Sequence, residues 1–300
     1  MPPQITRRAL LTGLGGAALA ACSGPGTPTA DSATDSPPPA GPRVVTLDTA
    51  ELDSAMTLGI TPVGAARAQA DSGLPDYWPA SRLAGITVVG EIGSPDTAVI
   101  RRLKPDLILG NQIRDAAHFE TLRRIAPTVL TPATGHPWKA NFQQHAQALG
   151  RQAAADAVTA AYQRHAGQVA QALGQSGRRI SLVRFVENAP IRLYARQNFL
   201  ATLLDDVQLA RPDQQNAAQF ATEIPADQIA RADGDVLLYA VYGDPEAAGA
   251  TATLAGPGWQ ALAAVKAHRA FPVSDQLWFQ GIGYTGANAV LDELQHLLGA

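Results

Sequence analysis

The sequence predicts an α/β protein in two halves separated by a long helical stretch, and three observations carry that prediction. Short apolar runs of strand type alternate with helical segments over residues 43–130, and again over 180–298. Such alternation implies parallel βα units. Between them, residues 141–173 contain no proline, glycine only at 150 and 167, and mostly alanine and glutamine. The chain has 300 residues, enough for two cores of about 100–150 residues each.

Composition removes several classes. With 46% hydrophobic and 16% charged residues, the chain is neither disordered nor a multi-span membrane protein. A net charge of −3 argues against a nucleic-acid binder. One cysteine excludes a disulfide framework and a Cys-rich metal site.

Residues 1–21 read as an address. Thr6-Arg7-Arg8-Ala9-Leu10-Leu11 is a twin-arginine start, and the apolar run behind it is shorter than the ~20 residues of a membrane span. The run ends in Leu19-Ala20-Ala21-Cys22. Small residues before a cysteine suit a lipoprotein signal peptidase, which leaves Cys22 as a lipid-bearing N-terminus; firm anchoring then needs more than one acyl chain. Residues 22–42 are rich in Pro, Gly, Ser, Thr and Ala and read as a flexible tether.

The first α/β half is placed at 43–150. Strands are expected at 44–47, 63–65, 88–89, 107–109 and 128–130, with helices at 49–58, 97–103 and 115–125. Asp96 is the N-cap of the second helix and Pro105 lies beyond its end. The long stretch is one helix, or two broken near Gly150, with the interlobe helix placed at 151–174. Leu149, Ala153, Ala157, Ala160, Ala161 and Val169 are expected along one face. The second half, 175–300, carries strands at 180–185 and 192–194, joined by Glu187-Asn188-Ala189-Pro190. A helix at 199–205, a strand at 235–239, a helix at 258–265, a strand at 271–273 and a final amphipathic helix at 284–298 follow.

No HExxH, CxxC, HxH, GxSxG or P-loop is present, so nothing organises catalysis, and the six histidines are widely spaced. What stands out is arginine with aromatics near strand ends: Arg114, Arg184, Arg192 and Arg196 beside Tyr77, Trp78, Trp138, Tyr242, Trp278 and Phe279. Ligands of α/β sheets bind beyond the carboxyl ends of strands. Guanidinium forks there suit an anionic or oxygen-rich ligand, and rings add apolar contact.

Three segments carry a resemblance to a known family: Leu103-Lys104-Pro105-Asp106-Leu107-Ile108, then LRRIAPTV over 122–129, then Trp259-Gln260-Ala261-Leu262-Ala263-Ala264-Val265-Lys266 followed by Trp278. In order and spacing they resemble the iron–siderophore substrate-binding lipoproteins of ABC importers, over about residues 43–298. The resemblance implies two Rossmann-like lobes joined by one long helix, with the ligand cleft between the lobes. It implies a monomer that binds a ferric siderophore and hands it to an ABC permease, without catalysis and without a cofactor or metal ligand of its own. Arg114, Arg184, Arg192, Tyr194 and Trp278 fall at the family's cleft positions, with Tyr77, Trp78 and Tyr242 as further candidates. Family members dock on permease arginines through one glutamate per lobe; here the second-lobe position holds Asp227, and the first-lobe position falls near Ala98, with Asp96 the nearest acid. Two or three arginines without a lysine cluster lean toward hydroxamate or citrate-type chelates. The alternative cargo is haem or cobalamin, for which Tyr77, Tyr194, Tyr242 or His136 would supply a haem ligand.

Overall fold

In the computed structural model, β1 (Val44–Thr46) is buried on both faces, as an interior parallel strand must be. The described residues are 41–299 without 71, 175 and 176, so the signal segment, Cys22 and nearly all of the tether lie outside them. Asp48 ends β1 and accepts a hydrogen bond from the Thr49 amide, capping α1 (Thr49–Thr57). β2 (Gly64–Arg67), α2 (Ala80–Leu83), β3 (Thr87–Glu91) and β4 (Ser94–Pro95) follow. Asp96 caps α3 (Thr97–Leu103), and Lys104, left-handed at φ 46°, closes it before Pro105.

β5 (Leu107–Asn111) leads into α4 (Gln112–Asp115), a 3₁₀ turn (Ala116–His118) and α5 (Phe119–Leu122), ahead of β6 (Thr128–Thr131). The single helix expected over 115–125 is therefore replaced by short turns that begin earlier. Asn111 caps the Arg114 amide, and the Asp115 carboxylate turns back onto the Asn111 amide at 3.0 Å. The Asp115 backbone (φ −116°, ψ 0°) has left the helical region, which breaks the run.

α6 (Trp138–Ala148) and α7 (Gln152–Leu173) are separated at Gly150, whose φ of 64° no helix accommodates. The 22 residues of α7 span about 33 Å. Its buried face is Ala155, Tyr162, Ala166 and Val169; Ala153, Ala157 and Ala161 face solvent, against the expected stripe. The large Tyr162 ring, packed on Trp138 and Tyr284, sets that rotation.

The second half runs β7 (Ile180–Val186), β8 (Ile191–Tyr194), α8 (Phe199–Asp206), β9 (Ala221–Ile224), a 3₁₀ segment (Ala226–Ala232) and β10 (Val236–Tyr242). Then come α9 (Ala250–Ala255), α10 (Pro257–Gln260), α11 (Ala263–Lys266), β11 (Ala270–Pro272), α12 (Asp275–Trp278) and α13 (Tyr284–Leu298). The helix expected over 258–265 is two turns, because Leu262 is extended and Asp233 caps the Ala263 and Ala264 amides at 2.8 and 3.1 Å.

Two sheets result. The first has the order β4-β3-β2-β1-β5-β6, parallel except for β4. The second is β11-β10-β7-β8-β9, in which β8 alone runs opposite to the rest and pairs antiparallel with both β7 and β9. This is the expected two-lobed α/β architecture, with α7 as the crossing helix.

The halves also share α13, which packs on both α1 and α7. The Tyr284 ring meets Trp138 and Phe142 edge-on. At the start of α13, the Thr285 and Gly286 amides donate to the fully buried Asp53 carboxylate of α1 at 3.1 and 3.0 Å. Thr57 and Tyr77 hydroxyls donate to the same carboxylate at 3.1 and 3.3 Å. Gly283 has φ 155°, and a Cβ there would strike the Asp53 carboxylate. An element late in the chain is thus fastened to the first helix.

Candidate ligand-binding cleft

The carboxyl ends of β1, β5, β7 and β10 feed one cavity of about 250 Å³, with a smaller one of about 120 Å³ adjoining it. Asp48, Thr49 and Arg114 come from the first sheet; Arg184, Arg192 and Tyr242 come from the second, joined by Phe279, Gln280 and Ile282.

Arg184 is the most constrained of these. Its Nε and Nη2 donate to Asp275 at 2.6 and 2.7 Å, and Nη1 donates to the Tyr194 hydroxyl at 3.3 Å. Its guanidinium lies 4.6 Å from the Tyr242 ring centre and 5.3 Å from that of Phe279. Burial alone would lower its pKa, but the hydrogen bonds to Asp275 and the Tyr194 hydroxyl, with the Asp275 charge, outweigh it and leave the pKa raised. Ser274 caps α12 through the Leu277 amide and sets Asp275 in its first turn.

Arg192 stands directly opposite Arg184 in the β7–β8 register, and Glu223 stands opposite Arg192 in the β8–β9 register. Opposed residues share a face. Arg192 Nε donates to Glu223 at 3.1 Å. Arg114, on α4, has its Nε 3.6 Å from the Asp48 carboxylate and is half exposed.

Beneath Arg114 lies a buried polar layer. Asp48 also accepts from the Asn111 amide side chain at 3.2 Å. Burial pushes Asp115 up to about 6 and Glu51 well above the usual carboxylate value, with the Asp48 charge adding to both. Behind them, burial holds His145 down at about 4, with Nδ1 2.9 Å from the Ser54 hydroxyl. Burial thus favours the neutral forms of Glu51 and His145.

The expected site residues separate into two sets. Arg114, Arg184, Arg192 and Tyr242 line the cavity, and Tyr194 is a buried wall of the smaller one. Trp278, 1% exposed at the end of α12, donates its indole N–H to Glu293 at 2.7 Å; like Tyr194 it is a buried wall of the smaller cavity and does not line the larger one. One residue on, Phe279 lines both cavities, since a helical step of ~100° carries the next side chain toward the larger one. Trp78 packs in the first half with Leu52, Met56, Ala65 and Ile86, and the Arg82 guanidinium covers its ring at 5.4 Å. Tyr77 beside it hydrogen-bonds Asp53, and burial with the Asp53 charge pushes its phenol pKa up. Neither Tyr77 nor Trp78 lines the cavity.

Asp275, Glu223 and Asp48 were missed by sequence reasoning, and Phe279 was singled out only as one of the strand-end aromatics. A Ser-Asp pair ahead of an aromatic run is an N-cap signal that would have turned Trp278 inward and offered Asp275 as a counter-ion. Asp227 is exposed at the start of its 3₁₀ segment; Asp96 is exposed too, but its Oδ1 accepts from the Ala98 and Val99 amides. Among the described residues, no group of three His, Cys, Asp or Glu is placed to hold a metal.

A larger concavity, about 670 Å³, lies away from the cleft between the β7–β8 turn, the end of β9 and α9. Its lining has no arginine, lysine or aromatic ring. It lacks the donors that an oxygen-rich ligand needs, so size alone does not make it the site.

Two α/β lobes with a polar, arginine-lined cavity at their strand ends define a solute-binding protein. The chain belongs to the periplasmic binding protein family, whose model matches residues 44–277. The probable siderophore-binding lipoprotein YfiY of Bacillus subtilis is 30% identical over 271 residues, which cover 86% of this chain and 82% of that protein. The achromobactin-binding periplasmic protein of Dickeya dadantii is 27% identical, with 86% of each chain covered. Among solved structures, Staphylococcus aureus SirA complexed with staphyloferrin B superposes with a TM-score of 0.75 at 24% identity, covering 87% of this chain and 94% of that one. At that identity the likeness speaks to the fold.

Proposed function

We propose that the protein captures a ferric siderophore outside the cytoplasm and delivers it to an ABC permease for iron uptake. One observation carries this most: the fold brings Arg114 of one lobe and Arg184, Arg192 and Tyr242 of the other onto a single cavity. Iron wrapped in chelator oxygens needs outer donors and ring faces from its carrier rather than histidine or thiolate ligands. The relatives named above support the cargo class. The protein is a monomer that alters nothing in its cargo.

In the same reading Cys22 bears the lipid anchor on the outer face of the cytoplasmic membrane, and Asp227 and Asp96 meet basic residues of the permease. The haem or cobalamin alternative draws little support from the site. The Tyr77, Tyr194 and Tyr242 hydroxyls are each engaged within the protein, the last with the Ala68 carbonyl at 3.4 Å, and His136 is absent from the cavity lining.

Intrinsic tryptophan fluorescence tests this. Coloured ferric chelates quench by energy transfer, without ring contact. Saturable one-to-one quenching by a ferric chelate is expected, with no Soret shift on adding haem. A stoichiometric Soret change with no response to any ferric chelate would overturn it.

A further inference from the structure

We infer that the cargo is a carboxylate-type ferric chelate, held at opposite ends by the guanidinium forks of Arg114 and Arg192; this rests on the ferric-siderophore reading above. The three cavity arginines are not equivalent. Arg184 has all three of its nitrogens committed, two to Asp275 and one to Tyr194. Arg192 and Arg114 meet their partners through Nε alone, at 3.1 and 3.6 Å. Among the described residues neither has a partner for its two terminal nitrogens.

Those terminal nitrogens form an edge of parallel N–H donors. Its natural match is the planar two-oxygen edge of a carboxylate. One edge comes from each lobe, and both border the same cavity. Thr134, whose hydroxyl has no partner, lines it too and supplies a further donor.

Donor pattern and ring placement disfavour the other chelate classes. Each arginine already faces an acid, Asp48, Asp275 or Glu223, and no lysine lines the cavity. A tris-catecholate brings flat rings and no carboxylate edge, and would need open ring faces. Here the Tyr242 ring carries the Arg184 guanidinium, and Phe279 is packed by both Arg184 and Tyr194. A neutral trihydroxamate has no carboxylate edge and offers the forks only the iron-bound oxygens of an uncharged complex, a weaker match than a carboxylate.

The test is calorimetric titration of the mature protein at pH 7 with three probes: ferric citrate in excess citrate, ferrioxamine B and ferric enterobactin. Ferric citrate is expected to bind at least about tenfold more tightly than either of the others. Arg114→Gln and Arg192→Gln should each weaken it about ten- to a hundredfold. Arg114→Lys and Arg192→Lys, which keep the charge and lose the fork, should recover only part of that. Melting curves identify any variant that fails to fold, in which case the lysine variant is the comparison. Preference for ferrioxamine B or ferric enterobactin would overturn the carboxylate inference while upholding the siderophore reading. Undiminished ferric citrate binding by all of these variants would overturn the fork assignment. Binding of no ferric chelate would overturn both readings.

Discussion

Replacing Asp53 by asparagine should change the pH dependence of stability in a defined direction. The Asp53 carboxylate is wholly buried and accepts hydrogen bonds from the Thr285 and Gly286 amides and the Thr57 and Tyr77 hydroxyls. Burial outweighs those hydrogen bonds and raises its pKa from 3.8 to about 6. The folded state therefore binds this proton more tightly than the unfolded state. Its stabilising effect is complete below the unfolded value and is lost as pH rises through about 6. A shift of roughly two units corresponds to roughly 3 kcal/mol. The asparagine side chain does not titrate, and Asp115, Glu51 and His145 titrate alike in both proteins, so the difference isolates Asp53. Urea denaturation from pH 7.5 to pH 4, just above the unfolded value, should show wild type gaining roughly 2.5 kcal/mol of that relative to Asp53→Asn. A gap independent of pH, or one that widens toward alkali, would refute the claim that burial dominates at this helix-capping carboxylate.

Trp278→Ala should cost about 3–5 kcal/mol of stability in urea melts while the folded protein keeps its chelate affinity, because the ring fills the core. Asp275→Ala leaves the Arg184 guanidinium buried and unpaired, and should destabilise by about 3–5 kcal/mol in the same assay. Gly283→Ala should lower the melting temperature, since its Cβ would strike the Asp53 carboxylate. The crossing helix α7 and the shared helix α13 oppose hinge closure, so small-angle scattering should show no resolvable compaction on adding a ferric chelate.

The boundaries of α3, α7 and α13 were legible because their signals are local. Asp96 as a cap, Pro105 as a stop, Gly150 as a break and the amphipathic period of the last helix each act within a few residues. β9 was not legible: its strand character comes from pairing with β8, across a loop whose contacts the sequence does not state. The arginines were legible from their residue type, but not their unequal roles. Arg184 differs from Arg192 only because Asp275, 91 residues later, lies within hydrogen-bonding reach of it. The unequal exposure of Trp278 and Phe279 was not legible for a related reason. Both border the smaller cavity, and the rotation of a four-residue helix decides that only Phe279 also reaches the larger one.

The most direct measurement is an anomalous difference map at the iron edge from crystals of the protein grown with ferric citrate. The account expects one iron peak inside the cavity bounded by Arg114, Arg192, Tyr242 and Gln280. A peak in the larger concavity beside the β7–β8 turn and α9, or no ordered iron at saturating chelate, would contradict it.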